Sequence, residues 1–320
     1  MRSQSVKLAS TLFLPKSTTP SPVLIICHGA GEFKENYFEL CEFIAEKGIA
    51  SLAIDMHGHG GSGGERFHVK IQDWVTDIQA GVEFLSNFPR IDRDKIGAFG
   101  LSSGGTAILE AVLIEPKLKV LITLDATVRN SLPLAQSLLM KSLIVLGTIK
   151  KWLSKRDLRI PLAKMSGGLH FASDPEIDRQ IQSNPRALDA YNAFPLPGAA
   201  EAFFVNTLER VQAIKVPTLV LWGEDDELDP PQTAHMLFDA LTCVKELHII
   251  PGNGHVGHLD RNRAKVFELT AQWATEHLGL TLSTDPQVNP VPSESLFAQK
   301  SKSNRLGQGS YPRGNRPLPA

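Results

Sequence analysis

The fold of this 320-residue chain is expected to follow from one stretch, Ile96-Gly97-Ala98-Phe99-Gly100-Leu101-Ser102-Ser103-Gly104. Residues 96–99 form a short apolar run, which predicts a buried β-strand. The mostly small and apolar residues that start at Gly104 predict a helix. Gly100 and Gly104 lie two residues on either side of Ser102, so the chain can turn sharply between strand and helix. Such a turn presents the serine hydroxyl above the sheet, where it can act as a nucleophile.

Further apolar runs alternate with helix-like stretches on both sides of this turn. The other runs that predict strands are residues 23–27, 50–54, 120–124, 218–222 and 245–250. Nearly continuous apolar strands separated by helices are typical of a parallel sheet that is covered on both faces. Residues 6–13 alternate more and predict an antiparallel edge strand. We therefore predict an α/β fold with a mostly parallel central sheet and helices on both faces.

The alternation stops over residues 126–212, which contain helix-like stretches and no convincing strand. An insertion between two strands of one sheet predicts a helical cap on a core formed by residues 1–125 and 213–282. Residues 138–153 are its most apolar part and are accompanied by several basic residues. Basic amphipathic helices can lie at a membrane surface, so weak membrane contact through the cap is one hypothesis. Packing of the same residues on the core is the alternative.

Composition narrows the class of protein. The chain has 33 basic and 34 acidic residues, and this balance argues against a nucleic-acid partner. Its three cysteines form neither a disulfide framework nor a zinc motif. No secretory signal and no long apolar run are evident, so a cytoplasmic protein is expected. Residues 283–320 hold six of the 21 prolines and few large apolar residues, which predicts a disordered tail.

A base and an acid that would activate Ser102 are expected later in the chain, in the order Ser, Asp, His. Asp226 follows the strand at 218–222 and is the predicted acid. Asp225 and Asp229, on the same loop, are expected to be solvated or to cap a helix. Asp125 ends the strand at 120–124 and is the alternative acid.

Two histidines compete for the role of base after the strand at 245–250. His255 directly follows a Gly-Asn-Gly turn, which is the position of a base on a mobile loop, and it is the predicted base. His258 is expected to be a surface or capping residue. The chain order makes His28 an unfavourable base, and its side chain is expected to fix its own loop by hydrogen bonds.

The backbone is expected to supply an oxyanion hole for a reacting carbonyl. The strand at 23–27 ends in His28-Gly29-Ala30-Gly31-Glu32, and one donor is normally found in this loop. Ala30 N–H is the predicted donor and Gly29 N–H is the alternative. Ser103 N–H, directly after the nucleophile, is the second predicted donor.

Two further patterns in the sequence partly match motifs for nucleotide binding and for metal binding. The stretch from Gly58 to Gly63 matches Gly-x-Gly-x-x-Gly, but the residues after it do not begin a helix where a dinucleotide fold requires one. Neither the His57 and His59 pair nor the His255 and His258 pair has a third ligand in its motif. The sequence therefore predicts no cofactor and no metal.

Together these motifs resemble the α/β-hydrolase superfamily over residues 6–280. The resemblance is greatest to serine hydrolases of the monoacylglycerol lipase, lysophospholipase and thioesterase type. Residues 28–32 are similar to the oxyanion loop of the lipases, and residues 55–62 are similar to the loop after their fourth strand. Residues 91–97 look more like dienelactone-hydrolase and prolyl-oligopeptidase relatives. Leu101 departs from the lipases, which usually have histidine there.

The resemblance implies a helical cap and small ester or thioester substrates. With Ser102, His255 and Asp226 as a triad, the expected reaction is acyl transfer to water through an acyl-enzyme, and the apolar cap suggests an apolar acyl group. A C–C bond hydrolase or a perhydrolase with the same triad is an alternative. A non-catalytic binding protein of the same fold is another, because fold does not fix function.

Overall fold

The computed structural model describes residues 1–130, 132–165 and 170–279. The predicted disordered tail at 283–320 lies outside the described residues. The strands in the described part are β1 (Arg2–Ser3), β2 (Val6–Lys7), β3 (Ser10–Phe13), β4 (Ser21–Cys27), β5 (Ala50–Ile54), β6 (Ile91–Leu101), β7 (Leu118–Leu124), β8 (Leu158–Ile160), β9 (Phe194–Leu196), β10 (Thr218–Gly223) and β11 (Lys245–Ile250).

Helices separate most of these strands. They are α1 (Phe38–Glu46), α2 (Ile71–Ser86), α3 (Ser103–Ala111), α4 (Leu134–Ser154), α5 (Leu162–Met165), α6 (Pro175–Ser183), α7 (Pro185–Asn192), α8 (Gln232–Ala240) and α9 (Arg263–His277).

The main sheet of the described residues has seven strands in the order β11-β10-β7-β6-β4-β5-β3. The five pairs from β11 to β5 are parallel, and β3 pairs antiparallel with β5 at the edge. This confirms the predicted, mostly parallel sheet. The predicted edge strand at 6–13 is shorter than expected, because Val6–Lys7 pairs with Arg2–Ser3 instead.

Helices cover both faces of this sheet. Side chains alternate along a strand, so Val23, Ile25 and Cys27 of β4 join one apolar cluster, and Leu24 and Ile26 join the other. The first cluster also contains buried residues of α2, α3 and α8, and the second those of α1 and α9. The strands are therefore buried on both sides, which explains their nearly continuous apolar sequences.

The insertion at 126–212 connects two neighbouring strands, β7 and β10, and contains α4 to α7. It also contains β8 and β9, which pair antiparallel, so the expectation of no strand here was wrong. Each strand is only three residues long, and Pro195 occupies the middle of β9. Three residues are too few to show the alternation of apolar and polar side chains that predicts a strand. A proline within such a run also argues against a strand.

The parallel register brings four strand ends together. Cys27 of β4 pairs with Gly100 of β6, Gly100 pairs with Thr123 of β7, and Leu124 pairs with Leu221 of β10. The loops after these strands therefore leave the sheet at one edge, where open α/β sheets bind their ligands.

Candidate active site

Ser102 lies at the sharp turn between β6 and α3. Its backbone has φ 51° and ψ −121°, an unusual conformation for a residue other than glycine. A Cβ on Gly100 would lie 2.4 Å from the carbonyl oxygen of Gly104, and one on Gly104 would lie 2.4 Å from that of Cys27. Both glycines are needed because backbone atoms occupy the space of any side chain.

The loop after β4 is fixed around the Gly29–Ala30 peptide. Gly29 N–H donates to Glu32 Oε2 over 2.9 Å. Met56 N–H donates to His28 Nε2, so the other ring nitrogen, Nδ1, carries the proton and donates to the Gly29 carbonyl over 2.7 Å. Burial lowers the pKa of His28, which favours this neutral form. His28 therefore orients the loop, as its position in the chain predicted.

The backbone N–H groups of Ala30 and Ser103, which lie near Ser102, have no hydrogen-bond partner among the described residues. The alternative donor, Gly29 N–H, is already engaged by Glu32. Ala30 and Ser103 both line the cavity that contains Ser102. The arrangement can therefore offer two free donors to a carbonyl oxygen, at the start of α3 and in the loop after β4.

Asp226 and His255 form a buried hydrogen-bonded pair. Asp226 Oδ2 lies 2.9 Å from His255 Nδ1, and Asp226 Oδ1 accepts from the N–H groups of Leu228 and Asp229 at 2.9 and 3.0 Å. Burial acts to lower the pKa of His255, but the Asp226 carboxylate outweighs it and holds the pKa above its usual range. His255 lines the same cavity as Ser102.

Asp125, the alternative acid, makes a different contact. Its Oδ1 accepts a 2.7 Å hydrogen bond from Gly223 N–H at the end of β10. Its side chain is buried, and no hydrogen bond joins it to His255 in the described part of the chain. Burial and the nearby Asp226 carboxylate raise the pKa of Asp125 well above its usual value, which favours the neutral form of this buried side chain.

Asp229 was expected to be solvated or capping, and this was wrong. It is only 5% exposed, and its Oδ2 accepts a 2.7 Å hydrogen bond from Thr127 Oγ1. Thr127 Oγ1 in turn lies 3.3 Å from Ser102 Oγ. Sequence reasoning missed Thr127, whose one signal is its place three residues after β7, at the edge where site loops gather. Asp225 is exposed as expected, and it accepts a hydrogen bond from Ser173 Oγ.

His258 was expected at the surface or at a helix cap, and this was also wrong. It is 1% exposed and stacks on Tyr37 with 4.1 Å between ring centroids. Burial lowers its pKa to about 4, despite Glu32 Oε1 at 3.5 Å from Nε2. His258 is therefore a neutral packing residue behind the loop that follows β4, while His255 contacts Asp226.

A cavity of about 520 Å³ lies above Ser102. Its far wall is built by the insertion, and most of the side chains there are apolar. The apolar residues of this wall are Leu132, Leu139, Met140, Leu143, Leu162, Phe171, Phe194 and Phe203. Tyr191 of α7 also lines the cavity and donates to the carbonyl of Ala30 over 2.8 Å, which ties the insertion to the loop after β4.

The sequence model of one hydrolase family, described as serine aminopeptidase S33, matches residues 18–262. The chain belongs to this family. It is 24% identical to the monoacylglycerol lipase of Mycolicibacterium smegmatis over 85% of this chain and 94% of that protein. It is 26% identical to the monoglyceride lipase of Homo sapiens over 84% of this chain and 87% of that protein.

A solved structure has the same fold. The monoacylglycerol lipase of Paleococcus ferrophilus superposes on this S33 hydrolase with a TM-score of 0.67 and 21% sequence identity, over 85% of this chain and 99% of that one. The α/β-hydrolase fold predicted from the sequence is confirmed.

The glycine-rich stretch of this S33 hydrolase encloses one of its own carboxylates. Asp55 accepts from Gly61 N–H at 2.8 Å, and a Cβ on Gly60 would lie 2.0 Å from the Asp55 carboxyl carbon. The next helix begins only at Ile71. Within this stretch, Gly61 N–H is thus directed at Asp55, while the N–H groups of Gly58 and Gly63 donate to backbone carbonyls.

One group in the described part of this S33 hydrolase has the composition of a metal site. Glu65, His68 and Asp157 place potential ligand atoms within 4.8 Å of one another. The ammonium of Lys151 lies 3.0 Å from Glu65 and 3.1 Å from Asp157 and already pairs with both carboxylates. The geometry is therefore that of an ion-pair network between the core and the insertion.

Among the residues that the structure describes, no helix of this S33 hydrolase has the length and apolar character needed to cross a bilayer.

Proposed function

We propose that the chain is a serine hydrolase that cleaves carboxylic esters with Ser102 as nucleophile, His255 as base and Asp226 as the acid that orients the base. The observation that carries the proposal is the buried Asp226–His255 hydrogen bond in a site whose cavity also contains the strained Ser102. The lipase names of the relatives favour an ester bond.

The proposed reaction is acyl transfer to water. His255 Nε2 takes the proton of Ser102 as its oxygen attacks the substrate carbonyl, and Asp226 stabilises the resulting imidazolium. The N–H groups of Ala30 and Ser103 bind the oxyanion, each worth roughly 3–4 kcal/mol of transition-state stabilisation. Collapse of the tetrahedral intermediate expels the alcohol, which takes the proton from the His255 imidazolium. His255 then removes a proton from a water molecule that attacks the acyl-enzyme, and it returns this proton to Ser102 as the carboxylic acid leaves.

The insertion at 126–212 is proposed to act as a cap that selects an apolar acyl group. Its helices supply Met140 and Leu143, and its other segments supply Phe194 and Phe203, to the cavity wall. Burying an acyl chain against these side chains gains about 0.8 kcal/mol per methylene. The same triad and cavity also suit a thioester, and a C–C bond hydrolase or perhydrolase remains the alternative reaction.

A panel of p-nitrophenyl esters of increasing acyl length tests this proposal. We expect kcat/KM to rise with acyl length in the wild type, and Met140→Trp, which fills the cavity, to lower kcat/KM for long esters at least about tenfold relative to acetate. Val145→Trp is the matched control, because Val145 lies on the exposed side of the same helix. A wild type without esterase activity, or equal profiles for the two variants, would contradict the proposal.

We further propose that the outer face of α4 docks on an anionic lipid surface. Leu134, Trp152 and Leu153 are 77%, 73% and 69% exposed, and Leu138, Val145, Leu146 and Ile149 are also exposed. Such an apolar face is unusual on a protein surface and needs a partner. The helix has no acidic residue and carries Lys141 and Lys150, which complement negative lipid head groups.

Vesicle co-sedimentation tests the docking surface. We expect binding to vesicles of phosphatidylcholine with phosphatidylserine, weaker binding to phosphatidylcholine alone, and weakening by salt because added ions screen the lysines. The double variant Trp152→Ser, Leu153→Ser is expected to lose most of the binding. Phe84→Ser, an exposed aromatic residue on α2, is the control and is expected to bind normally. Equal binding by both variants would contradict docking through α4.

A further inference from the structure

The loop that carries Asp226 contacts His255 directly and is linked to Ser102 through Thr127. Asp226 accepts from His255 at one end of a four-residue segment. Asp229, at the other end, accepts from Thr127, which lies against Ser102. Asp229 N–H also donates to Asp226 Oδ1, so the two carboxylates are held in one arrangement. The base and the nucleophile are thus positioned by the same loop through separate contacts.

The direction of the hydrogen bonds follows from the number of protons. An aspartate carboxylate can only accept, and Thr127 has one hydroxyl proton, which is donated to Asp229 over 2.7 Å. Thr127 Oγ1 therefore offers Ser102 only its lone pairs. At the observed 3.3 Å, the Ser102 hydroxyl is the donor and its proton is directed at Thr127.

This contact exists only before the reaction. When Ser102 attacks a carbonyl, its proton passes to His255, and the serine oxygen then has no proton to donate to Thr127. Because the Thr127 proton stays with Asp229, two sets of lone pairs would face each other. An interaction that stabilises the ground state and is lost in the transition state raises the barrier.

We infer that Thr127, oriented by Asp229, is a positioning residue that keeps the Ser102 hydroxyl away from His255 in the empty site. A carbonyl that enters the oxyanion hole requires Ser102 to leave Thr127 and turn to the base. The arrangement lowers the reactivity of the enzyme when no substrate is bound. The inference rests on the proposed role of Ser102 as nucleophile.

The test compares Thr127→Val, which removes the hydroxyl at nearly constant volume, with Thr127→Ser, which keeps it. The readouts are the second-order rate of labelling by a fluorophosphonate and kcat/KM for one p-nitrophenyl ester. Loss of one weak neutral hydrogen bond is expected to raise both rates about two- to fivefold in Thr127→Val. Thr127→Ser is expected to stay within about twofold of the wild type, because its hydroxyl can make the same two contacts.

A second variant guards against a folding defect. Thr127→Val removes the hydroxyl that donates to Asp229 Oδ2, whereas Thr127→Ala leaves room for a water molecule in place of that hydroxyl. Both variants are expected to react faster than the wild type once melting curves show that they are folded. Unchanged or slower reaction in the folded variants would overturn the inference. Fluorophosphonate labelling that persists in Ser102→Ala would instead overturn the proposed function.

Discussion

Ser102→Ala is expected to lower kcat for ester hydrolysis on the order of 10⁶-fold, because the proposed reaction has no other nucleophile and the triad acts as a unit. The fold should be retained. The replacement leaves the backbone turn in place and removes one hydroxyl whose described side-chain hydrogen bond is the 3.3 Å contact with Thr127. Steady-state kinetics and fluorophosphonate labelling measure the loss, and thermal melting verifies folding.

The neighbouring serine is the matched control. Ser103 Oγ is buried and has no hydrogen-bond partner in the described part of the chain, and the proposed mechanism uses only its backbone N–H. Ser103→Ala keeps that N–H, so we expect activity within a few-fold of the wild type. Hydrolysis that survives in Ser102→Ala, or that disappears in a folded Ser103→Ala, would show that the wrong serine was assigned.

The turn at Ser102 could be predicted from the sequence because its requirements are local. The spacing of Gly100 and Gly104 follows from backbone atoms only a few residues away or on the adjacent strand. The mostly parallel sheet could be predicted for a similar reason, since burial on both faces leaves nearly continuous apolar runs such as that of β4. The catalytic roles of the residues at these positions stay predictions.

The surroundings of the site could not be predicted, because they depend on contacts between distant parts of the chain. Thr127 and Asp229 are 102 positions apart, and neither belongs to a motif. A carboxylate on a polar loop gives the same sequence signal whether it is solvated or buried against a threonine. His258 stacks on Tyr37 across more than two hundred residues, and only the folded chain shows this contact.

The insertion shows the same limit. Its apolar helix was predicted, and α4 is present at Leu134–Ser154. The sequence left open whether the apolar residues pack on the core or face outward. Helix periodicity shows that an apolar face exists, but it does not show what that face contacts. The structure shows both arrangements in the same helix. Met140 faces inward and lies in the cavity wall, whereas Trp152 faces outward and is exposed.

Asp226→Asn is expected to lower kcat/KM by about 10⁴-fold, because an amide in this position no longer holds the His255 ring in the tautomer that can accept the Ser102 proton. The pH profile should change as well. His255 must be neutral to act as a base, and the Asp226 carboxylate raises its pKa. In the wild type, activity should therefore rise with pH through a value above the ordinary histidine pKa of about 6.5.

Without the carboxylate, the pKa of His255 loses its main upward contribution, so the residual activity of Asp226→Asn should rise at lower pH than in the wild type. Asp225→Asn, an exposed change on the same loop, is expected to alter neither rate nor profile.

Asp125→Asn separates the two candidate acids. Because the raised pKa of Asp125 favours its neutral form, a neutral amide is a close replacement, and Asp125 contributes less than Asp226 to the raised pKa of His255. The amide oxygen can still accept from Gly223 N–H, as the carboxyl does. We therefore expect the midpoint of the acidic limb of the pH–activity profile to shift less than in Asp226→Asn, and kcat/KM to fall less than about tenfold. A larger loss in Asp125→Asn than in Asp226→Asn would transfer the role of orienting His255 to Asp125, since the two variants differ in which carboxyl group is replaced.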